Sequence, residues 1–366
     1  MRGAASPWSR LALLCACASA LSIAGLLAAF PHARVRSFVS GSPRPSSRPP
    51  LTLTRSNTFT IAIFADLHFG EEEHGWGIEQ DVNSTRVMDN VLQAEKPDFV
   101  VLNGDLITGE NTFRENSSAY VDQIVQPLLR TRTPWASTYG NHDSKFNLSR
   151  ASIYQAESRY ELCYTESGDH SLPGITNYYL PVWTAESKSP ALILWFFDSR
   201  GGASYQGSPP DVDDIPNWVA PEVASWFSNA QSQLRREYGE DIPGVAFVHI
   251  PPQVFRSAQE VGLDPSRYPG LNEDVPVDIQ GRGSEDDAFV AALLSAPALH
   301  SVHVGHDHGD SWCSTWPGED RASSAPFLCF AKHTGYGGTG RGIEVRGSSS
   351  SRFRLEGTAT WVSRLG

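Results

Sequence analysis

Carboxylate, amide and imidazole side chains recur along this chain in five short blocks, in the order D-x-H, G-D, G-N-H-D, a single histidine and G-H-x-H. Each such residue alone is more often a turn or core residue than a ligand. Together, and with no thiolate among them, these groups suit borderline or hard cations such as Fe, Mn or Zn. The set consists of Asp66, His68, Asp105, Asn141, His142, Asp143, His249, His306 and His308.

Short apolar segments precede the blocks and are predicted to be the strands that position them. They are rich in β-branched and aromatic residues and mostly continuous, which is typical of strands buried on both faces. Helix-like stretches lie between several of them, with Asp81 and Ser284 as candidate N-caps. The predicted strands cover residues 59–66, 98–105, 135–141, 191–198, 244–250 and 300–306, and the predicted helices cover 82–95, 115–130, 219–238 and 285–296.

The alternation of strands and helices predicts an α/β domain with layered sheets and outer helices. Ligand sites in such sheets lie at the carboxyl ends of the strands. Because the polar blocks follow strands, we expect them to meet in one site at that edge. Glycine precedes three of them, at Gly104, Gly140 and Gly305, as expected where the backbone turns sharply beside a ligand.

In this order, the blocks resemble the calcineurin-like metallophosphoesterase superfamily, and the resemblance extends over residues 59–345. The stretches DVNSTRVMDNVL (81–92), WFFDSRGG (195–202) and 312–338 are similar to the short, single-domain relatives of the purple acid phosphatases. The resemblance implies a layered αββα sandwich with the metal site at the C-terminal ends of the strands. It also implies a catalytic domain over 58–366 that hydrolyses phosphate monoesters.

The resemblance gives each position in the blocks a role. Two metal ions are implied, the first held by Asp66, His68 and His308, and the second by Asn141, His249 and His306, with Asp105 bridging both. Hydrolysis would proceed by in-line attack of a metal-activated hydroxide on a small phosphate ester or phosphoprotein. His142 would assist the leaving group, and Asp143 would either orient His142 or form a loop salt bridge.

Thr108 marks a departure from the purple acid phosphatase pattern. Those enzymes have a tyrosine three residues after the bridging aspartate, where it gives the ferric centre its colour, and this chain has Thr108 there. We therefore expect no ferric-tyrosinate bond. All seven ligand positions and His142 are nevertheless filled, so the departure does not by itself indicate loss of activity.

Two other functions are compatible with these residues. One is a phosphodiesterase that acts on membrane lipids or glycolipid anchors, and the other is a non-catalytic glycoprotein that binds metal. Asp198 and His303 also lie on or after predicted strands, but we expect a structural role for Asp198 and a packing role for His303. His333, in a Gly-rich stretch, is expected to anchor a loop.

The charge distribution argues against a nucleic-acid partner. The net charge is −12, and the seven arginines of residues 1–57 have no acidic counterpart there, so the remainder is more acidic still. A nucleic-acid backbone requires a basic face. A phosphate-binding site stays compatible with an acidic domain, because bound cations would dominate the local field.

The N-terminal segment indicates export. Two arginines precede the uncharged apolar run 11–30, which is either a cleaved signal peptide or an uncleaved anchor that attaches the protein to a membrane. Residues 31–57 form a Pro/Ser/Arg-rich linker. Sequons for N-glycosylation lie at Asn83, Asn116 and Asn147. The predicted location is the secretory pathway, with a secreted, vacuolar or membrane-anchored protein.

Cysteine usage fits an oxidising compartment. Of five cysteines, two belong to the apolar run. Cys313 and Cys329 flank a short excursion rich in Trp, Pro and Gly and are predicted to form a disulfide, which leaves Cys163 as a buried free thiol.

Overall fold

The computed structural model describes residues 48–184, 188–206, 213–263, 275–318, 324–338, 349–354 and 362–365. The signal or anchor segment over 1–30 and the linker up to residue 47 lie outside these residues. Among the helices so described, none combines the length and the apolar character needed to cross a membrane.

Two sheets form the centre of the fold. The first has the strand order β12-β11-β2-β3-β4, and the second has the order β1-β5-β6-β7-β8-β10-β9. The first sheet contains β2 (Thr58–Phe64), β3 (Phe99–Asn103), β4 (Trp135–Thr138), β11 (Ser349–Arg354) and β12 (Val362–Leu365). The second contains β1 (Leu51–Thr52), β5 (Tyr178–Trp183), β6 (Pro190–Phe197), β7 (Gly244–Val248), β8 (Leu299–Val304), β9 (Cys313–Ser314) and β10 (Phe327–Phe330).

The helices among the described residues are α1 (Trp76–Glu95), α2 (Tyr120–Ile124), α3 (Gln126–Thr131), α4 (Arg150–Glu157), α5 (Pro221–Tyr238), α6 (Gln253–Val261) and α7 (Asp287–Leu294), with a short 3-10 helix at Ser117–Ala119. Alternate residues of the strands pack in different layers. Ile61 and Phe247 lie in a core between the sheets. Ala62 packs in a core with Met88 of α1, and Val248 packs in one with Phe227 of α5. The layers therefore run helix, sheet, sheet, helix, which confirms the predicted sandwich.

All six predicted strands are present, as β2, β3, β4, β6, β7 and β8. The central pairs β2–β3, β3–β4, β6–β7 and β7–β8 are parallel. Their carboxyl ends therefore point to one edge of each sheet. The remaining strands among the described residues, β1, β5, β9, β10, β11 and β12, were not predicted.

The helix boundaries differ from the prediction in three places. Helix α1 begins at Trp76 after Gly75, so Asp81 is not its N-cap but a buried residue that accepts a hydrogen bond from the Gly70 N–H. The predicted helix over 115–130 is divided into the 3-10 helix, α2 and α3, and Pro127 at the start of α3 cannot donate the backbone bond that a continuous helix requires. Asp286, not Ser284, precedes α7.

The folded region also begins earlier than the predicted boundary at residue 58. Leu51 and Leu53 are buried, and β1 pairs in parallel with Val182 and Trp183 at the edge of the second sheet. The end of the predicted linker is therefore part of the domain, because two leucines spaced two residues apart place their side chains on one face.

The cysteine predictions are confirmed. Cys313 and Cys329 form a disulfide between paired strands β9 and β10. Cys163 is a buried free thiol, and burial raises the pKa of this thiol far above its ordinary range.

The three sequons differ in accessibility. Asn116 is exposed at the start of the 3-10 helix. Asn83 is half-buried within α1. The Asn147 amide donates to the Thr112 carbonyl oxygen at 2.9 Å. A glycan is therefore accommodated most readily at Asn116.

A buried carboxylate holds the end of β4 in place. Glu157 of α4 is 1% exposed and accepts hydrogen bonds from Trp135 Nε1 at 3.2 Å, Ser137 Oγ at 2.7 Å and Tyr139 Oη. Burial raises the pKa of Glu157 above its usual value, and these donors oppose the shift. The network fixes the strand that leads to Asn141.

Replacing Glu157 by alanine should therefore destabilise the domain strongly. Glu157→Ala leaves three buried donors without their acceptor, and we expect a loss of about 2–5 kcal/mol in the free energy of unfolding. Urea denaturation measures this value. The exposed Glu161→Ala is the matched control and should change it by less than about 0.5 kcal/mol. Equal effects of the two substitutions would contradict the role given to the network.

Candidate metal centre

Strand ends from both sheets deliver the predicted ligands to one place. The first sheet contributes residues that follow β2, β3 and β4, and the second contributes residues that follow β7 and β8. Asp66 and His68 follow β2, Asp105 follows β3, and Asn141 follows β4. His249 follows β7, and His306 and His308 follow β8. The structure thus brings together residues separated by up to about 240 positions in the chain.

Four of these residues have a left-handed backbone, which is uncommon for residues with a side chain. The φ angles are 56° at Asp66, 48° at His68, 48° at Asp105 and 78° at His306. Such conformations cost of order 1–3 kcal/mol each and are concentrated at functional sites. The placement of these side chains therefore comes with strain in the backbone.

One candidate metal-binding group consists of Asp66, His68 and His308, whose ligand atoms all lie within 4.8 Å of one another. His68 Nε2 is 3.2 Å from His308 Nε2. Asp66 Oδ1 is 3.7 Å from His308 Nε2. These separations are suitable for three donors around one cation.

A second group consists of Asp105, His249 and His306, again within 4.8 Å. Asp105 Oδ2 lies 3.0 Å from His249 Nε2 in this group and 3.8 Å from His68 Nε2 in the first. Asp105 therefore lies between the two groups, as the bridging role requires.

A buried amide oxygen in the site lacks the partner that buried polar groups normally have. In the part of the chain that the structure describes, Asn141 Oδ1 has no hydrogen-bond partner. His249 Nδ1 donates to the Asn103 carbonyl oxygen at 2.9 Å, and Nε2, the other ring nitrogen, faces Asp105 Oδ2 at 3.0 Å. An amide oxygen and an imidazole nitrogen beside a buried carboxylate fit a divalent or trivalent cation.

Burial and mutual interactions shift the pKa values of the site. Burial lowers the pKa of His68 well below its usual value, and His308 adds to the effect. Burial disfavours the charged form of Asp105, but His249 and His142 hold its pKa well below the ordinary range. The same partnership, opposed by burial, raises the pKa of His249 to about 9. Asp105 is thus the carboxylate whose charged form the neighbouring histidines stabilise.

Two glycines leave room that a side chain would fill. A Cβ added at Gly140 would lie 2.2 Å from Asp105 Oδ1, and one added at Gly104, where φ is 87°, would lie 2.4 Å from His249 Nδ1. Both distances are far inside van der Waals contact. Glycine is therefore required here for close approach as well as for turning.

The centre opens into a cavity of about 550 Å³. Asp105, His142 and the histidines of the D-x-H and G-H-x-H blocks line its base, and Thr108 lines it as well. Carboxylates also line it, at Glu71, Glu110, Asp278 and Asp307. A small phosphate ester would have access to the ligand atoms from this side.

His142 lies beside the centre with a different carboxylate partner from the one considered in the sequence. Its Nδ1 is 2.6 Å from Glu110 Oε1, and Lys145 Nζ donates to the same oxygen at 2.9 Å. Burial lowers the pKa of His142, but Asp105 and Glu110 more than offset this and raise it above the ordinary value.

Among the described residues, Asp143 contacts backbone N–H groups and neither the His142 ring nor a basic side chain. Its buried carboxylate accepts hydrogen bonds from the N–H groups of Leu106, Ile107 and Gly140. It fixes the backbone of the two loops that carry Asp105 and Asn141. The prediction failed because adjacency in sequence does not determine where a short side chain points.

The remaining polar strand residues have structural contacts. Asp198 lies 3.2 Å from Arg150 Nε and accepts the N–H groups of Ile175 and Arg200. His303 stacks on Phe247 in the sheet. His333 was expected to anchor a loop, and its ring lies 3.8 Å from that of His308 between centroids, so it packs directly against a candidate ligand.

Sequence reasoning missed Glu71, Glu110 and Lys145. Each lies within a few residues of a polar block, but the blocks themselves gave no reason to single them out. Acidic residues in loops are usually solvated, and their contacts here depend on how two loops cross.

Comparison with known proteins agrees with this geometry. A family model described as calcineurin-like phosphoesterase matches residues 59–310. A protein of Arabidopsis thaliana named probable inactive purple acid phosphatase 29 is 26% identical over 329 residues, covering 83% of this chain and 78% of that protein. The Saccharomyces cerevisiae phosphatase DCR2 is 23% identical over 341 residues, covering 87% of this chain and 54% of the yeast protein.

A solved structure shares the fold. The crystal structure of a dimetal phosphatase from Danio rerio superposes with a TM-score of 0.51 at 16% identity, covering 80% of this chain and 92% of that chain.

The close approach at Gly140 gives a direct test of the centre. We expect Gly140→Ala to lower the metal content of the purified protein from two ions per chain to one or none, because the added Cβ displaces the Asp105 carboxylate. Mass-spectrometric metal analysis gives the content, and circular dichroism reports whether the fold persists. Gly283→Ala, in an exposed loop where an added Cβ would meet only Glu285 Oε2, at an ordinary contact distance of 3.6 Å, should retain the wild-type content. Retention of two ions by a folded Gly140→Ala protein would show that Asp105 is not a shared ligand.

Proposed function

The chain belongs to the calcineurin-like phosphoesterase family, and from that membership we propose that it is a dimetal phosphatase acting on phosphate monoesters. One observation carries the proposal, namely the convergence of carboxylate, amide and imidazole donors from two sheets into two groups that share Asp105. The donor types suit Fe, Mn or Zn.

The first ion is assigned to Asp66, His68 and His308, and the second to Asn141, His249 and His306, with Asp105 between them. When bound, two such cations polarise phosphoryl oxygens and lower the pKa of a water that serves as nucleophile. The neutral amide of Asn141 limits the negative charge of the centre, so that an anionic phosphate is still accepted. Asn141 Oδ1, which finds no hydrogen-bond partner among the described residues, supports this assignment.

His142 is assigned to proton transfer to the leaving alkoxide. Its backbone N–H donates to Asp105 Oδ1 at 2.8 Å, which fixes the residue beside the proposed bridging ligand. Glu110 engages Nδ1 of the ring, so the proton offered to substrate comes from Nε2. A positioned acid of this kind contributes about 10²–10⁴ in rate.

Thr108 supports a centre without a ferric-tyrosinate bond. Its side chain is buried at the wall of the cavity and engages His68. A threonine cannot supply the phenolate that colours the purple enzymes. The protein is therefore proposed to lack the colour that a ferric-tyrosinate bond gives to the purple enzymes.

The printed names of some relatives raise the alternative of a protein that keeps the fold without catalysis. The Arabidopsis protein is named probable inactive, whereas the yeast relative is named a phosphatase. The seven ligand positions and His142 are all filled in this chain, which favours activity. Binding without turnover is the second outcome of the experiment below.

The cellular setting follows from the same proposal. The disulfide between Cys313 and Cys329 supports an oxidising compartment. We place the catalytic domain in the lumen of the secretory pathway or outside the cell, with membrane anchoring through residues 11–30 where that segment is retained. Glycans are proposed at the sequons, foremost at the exposed Asn116.

Hydrolysis of p-nitrophenyl phosphate by the purified protein tests the function. We expect activity that is lost on chelation and restored by Fe, Mn or Zn. His142→Ala should lower kcat about 10²–10⁴-fold and leave the metal content unchanged. Asp105→Asn should lower both kcat and the metal content. His170→Ala replaces an exposed histidine and should leave kcat at the wild-type value.

Three outcomes would contradict the proposal in different ways. Cleavage of only the bis-ester substrate would make the protein a phosphodiesterase, as considered from the sequence. Two bound ions without turnover of either ester would make it a metal-binding protein. Unchanged rates in His142→Ala and Asp105→Asn would place the measured hydrolysis elsewhere.

A further inference from the structure

The Thr108 hydroxyl connects a candidate metal ligand to a carboxylate at the cavity wall. Thr108 is 2% exposed, and its Oγ1 lies 2.9 Å from His68 Nδ1 and 2.5 Å from Glu71 Oε2. His68 Nδ1 and Glu71 Oε2 are 3.9 Å apart, which is too far for a direct hydrogen bond. The hydroxyl is therefore the link between them.

The direction of these hydrogen bonds follows from the number of protons. An ionised carboxylate only accepts, so the single Thr108 O–H proton is donated to Glu71. The hydroxyl oxygen can then act towards His68 only as an acceptor, and His68 Nδ1 must carry the proton that it donates. His68 Nε2 is left with its lone pair, 3.2 Å from His308 Nε2 and 3.8 Å from Asp105 Oδ2, on the side of the candidate metal group.

Backbone contacts hold the three side chains in this arrangement. The Thr108 N–H donates to the Phe69 carbonyl oxygen at 3.0 Å, and the His68 N–H donates to the Asp105 carbonyl oxygen at 3.0 Å. Asn111 Nδ2 donates to the Glu71 carbonyl oxygen at 3.0 Å. We refer to the chain of contacts from Glu71 through Thr108 to His68 as the relay. The backbone contacts join the loops that follow β2 and β3 on both sides of this relay.

We propose that Thr108 and Glu71 are positioning residues that fix His68 as the Nδ1–H tautomer and so set the affinity of the metal position to which His68 contributes. The inference rests on the proposed dimetal function and adds two residues to it. A histidine that donates its second N–H towards a carboxylate is held in one orientation and becomes a more basic ligand. Thr108 transmits that effect from Glu71 to His68.

The two candidate metal positions differ in the group that accepts the Nδ1 proton of their histidine. His249 donates its Nδ1 proton to a neutral backbone carbonyl, that of Asn103. His68 donates to a hydroxyl that is itself bonded to a charged group. Substitutions at Thr108 or Glu71 should therefore weaken one ion selectively and leave the position that contains His249 intact.

Metal affinity of the purified full chain tests the relay without depending on turnover. Zinc is added in competition with a chromophoric chelator, and the number of bound ions is measured alongside. Thr108→Val keeps the shape and removes the hydroxyl, and we expect it to weaken one of two ions about 10–100-fold. Thr108→Ser restores the hydroxyl and should return the affinity to within a few-fold of wild type.

Thr112→Val is the matched control. Thr112 is 1% exposed, lies in the same loop, and donates its hydroxyl proton to the Gly109 carbonyl oxygen rather than to a candidate ligand. It should leave both affinities unchanged. Glu71→Gln keeps an acceptor and removes the charge, and it should also weaken one ion; if Thr108→Val does not fold, Glu71→Gln decides the question.

The outcomes separate the relay from the function on which it rests. Two bound ions with wild-type affinities in a folded Thr108→Val protein would overturn the relay and leave the dimetal proposal standing. Equal weakening by Thr112→Val and Thr108→Val would also overturn it. Fewer than two ions in the wild-type chain would refute the dimetal function and the relay together.

Discussion

The site depends on the burial of two carboxylates side by side. Asp66 and Asp105 are each 1% exposed, and removing an ionised carboxylate from water costs several kcal/mol unless opposite charge compensates it. The surrounding histidines stabilise the charge on Asp105, whereas burial, with Asp105 acting in the same direction, raises the pKa of Asp66. The surrounding side chains therefore stabilise the charged form of Asp105 better than that of Asp66. Bound metal ions would supply the remaining positive charge, which is why a dimetal centre accounts for so acidic a site.

The two-sheet architecture is what makes such a concentration of polar groups possible. Each sheet is covered on both faces by apolar side chains, so polar residues can gather only where strands end. Parallel strands place those ends together, and the left-handed backbone at Asp66, His68 and Asp105 turns the side chains inward. The strain of these turns is sustained by the surrounding structure, including the backbone contacts of Asp143 and the Glu157 network below β4. Stability in the core and geometry at the site are thus supplied by the same elements.

The sequence predicted structure well where a run of one kind of residue is compatible with few local structures. Apolar runs identified six of the strands, and the polar blocks after them identified the groups that meet at the site. It was less informative where contacts depend on the crossing of loops. Asp143 follows His142 in the chain, yet Glu110, which comes from another loop, is the residue that contacts the ring. The edge strand β1 was missed because two buried leucines within a Pro/Ser/Arg-rich segment are too weak a pattern to predict pairing with β5.

Three residues of the loop after β3 make separate contacts at the site. Asp105 lies between the two candidate metal groups, Thr108 holds His68, and Glu110 holds His142. Asp143 fixes the backbone between them by accepting the N–H groups of Leu106 and Ile107. A change of side chain at 108 or 110 can therefore alter the candidate ligand His68 or the proposed proton donor His142 without moving Asp105.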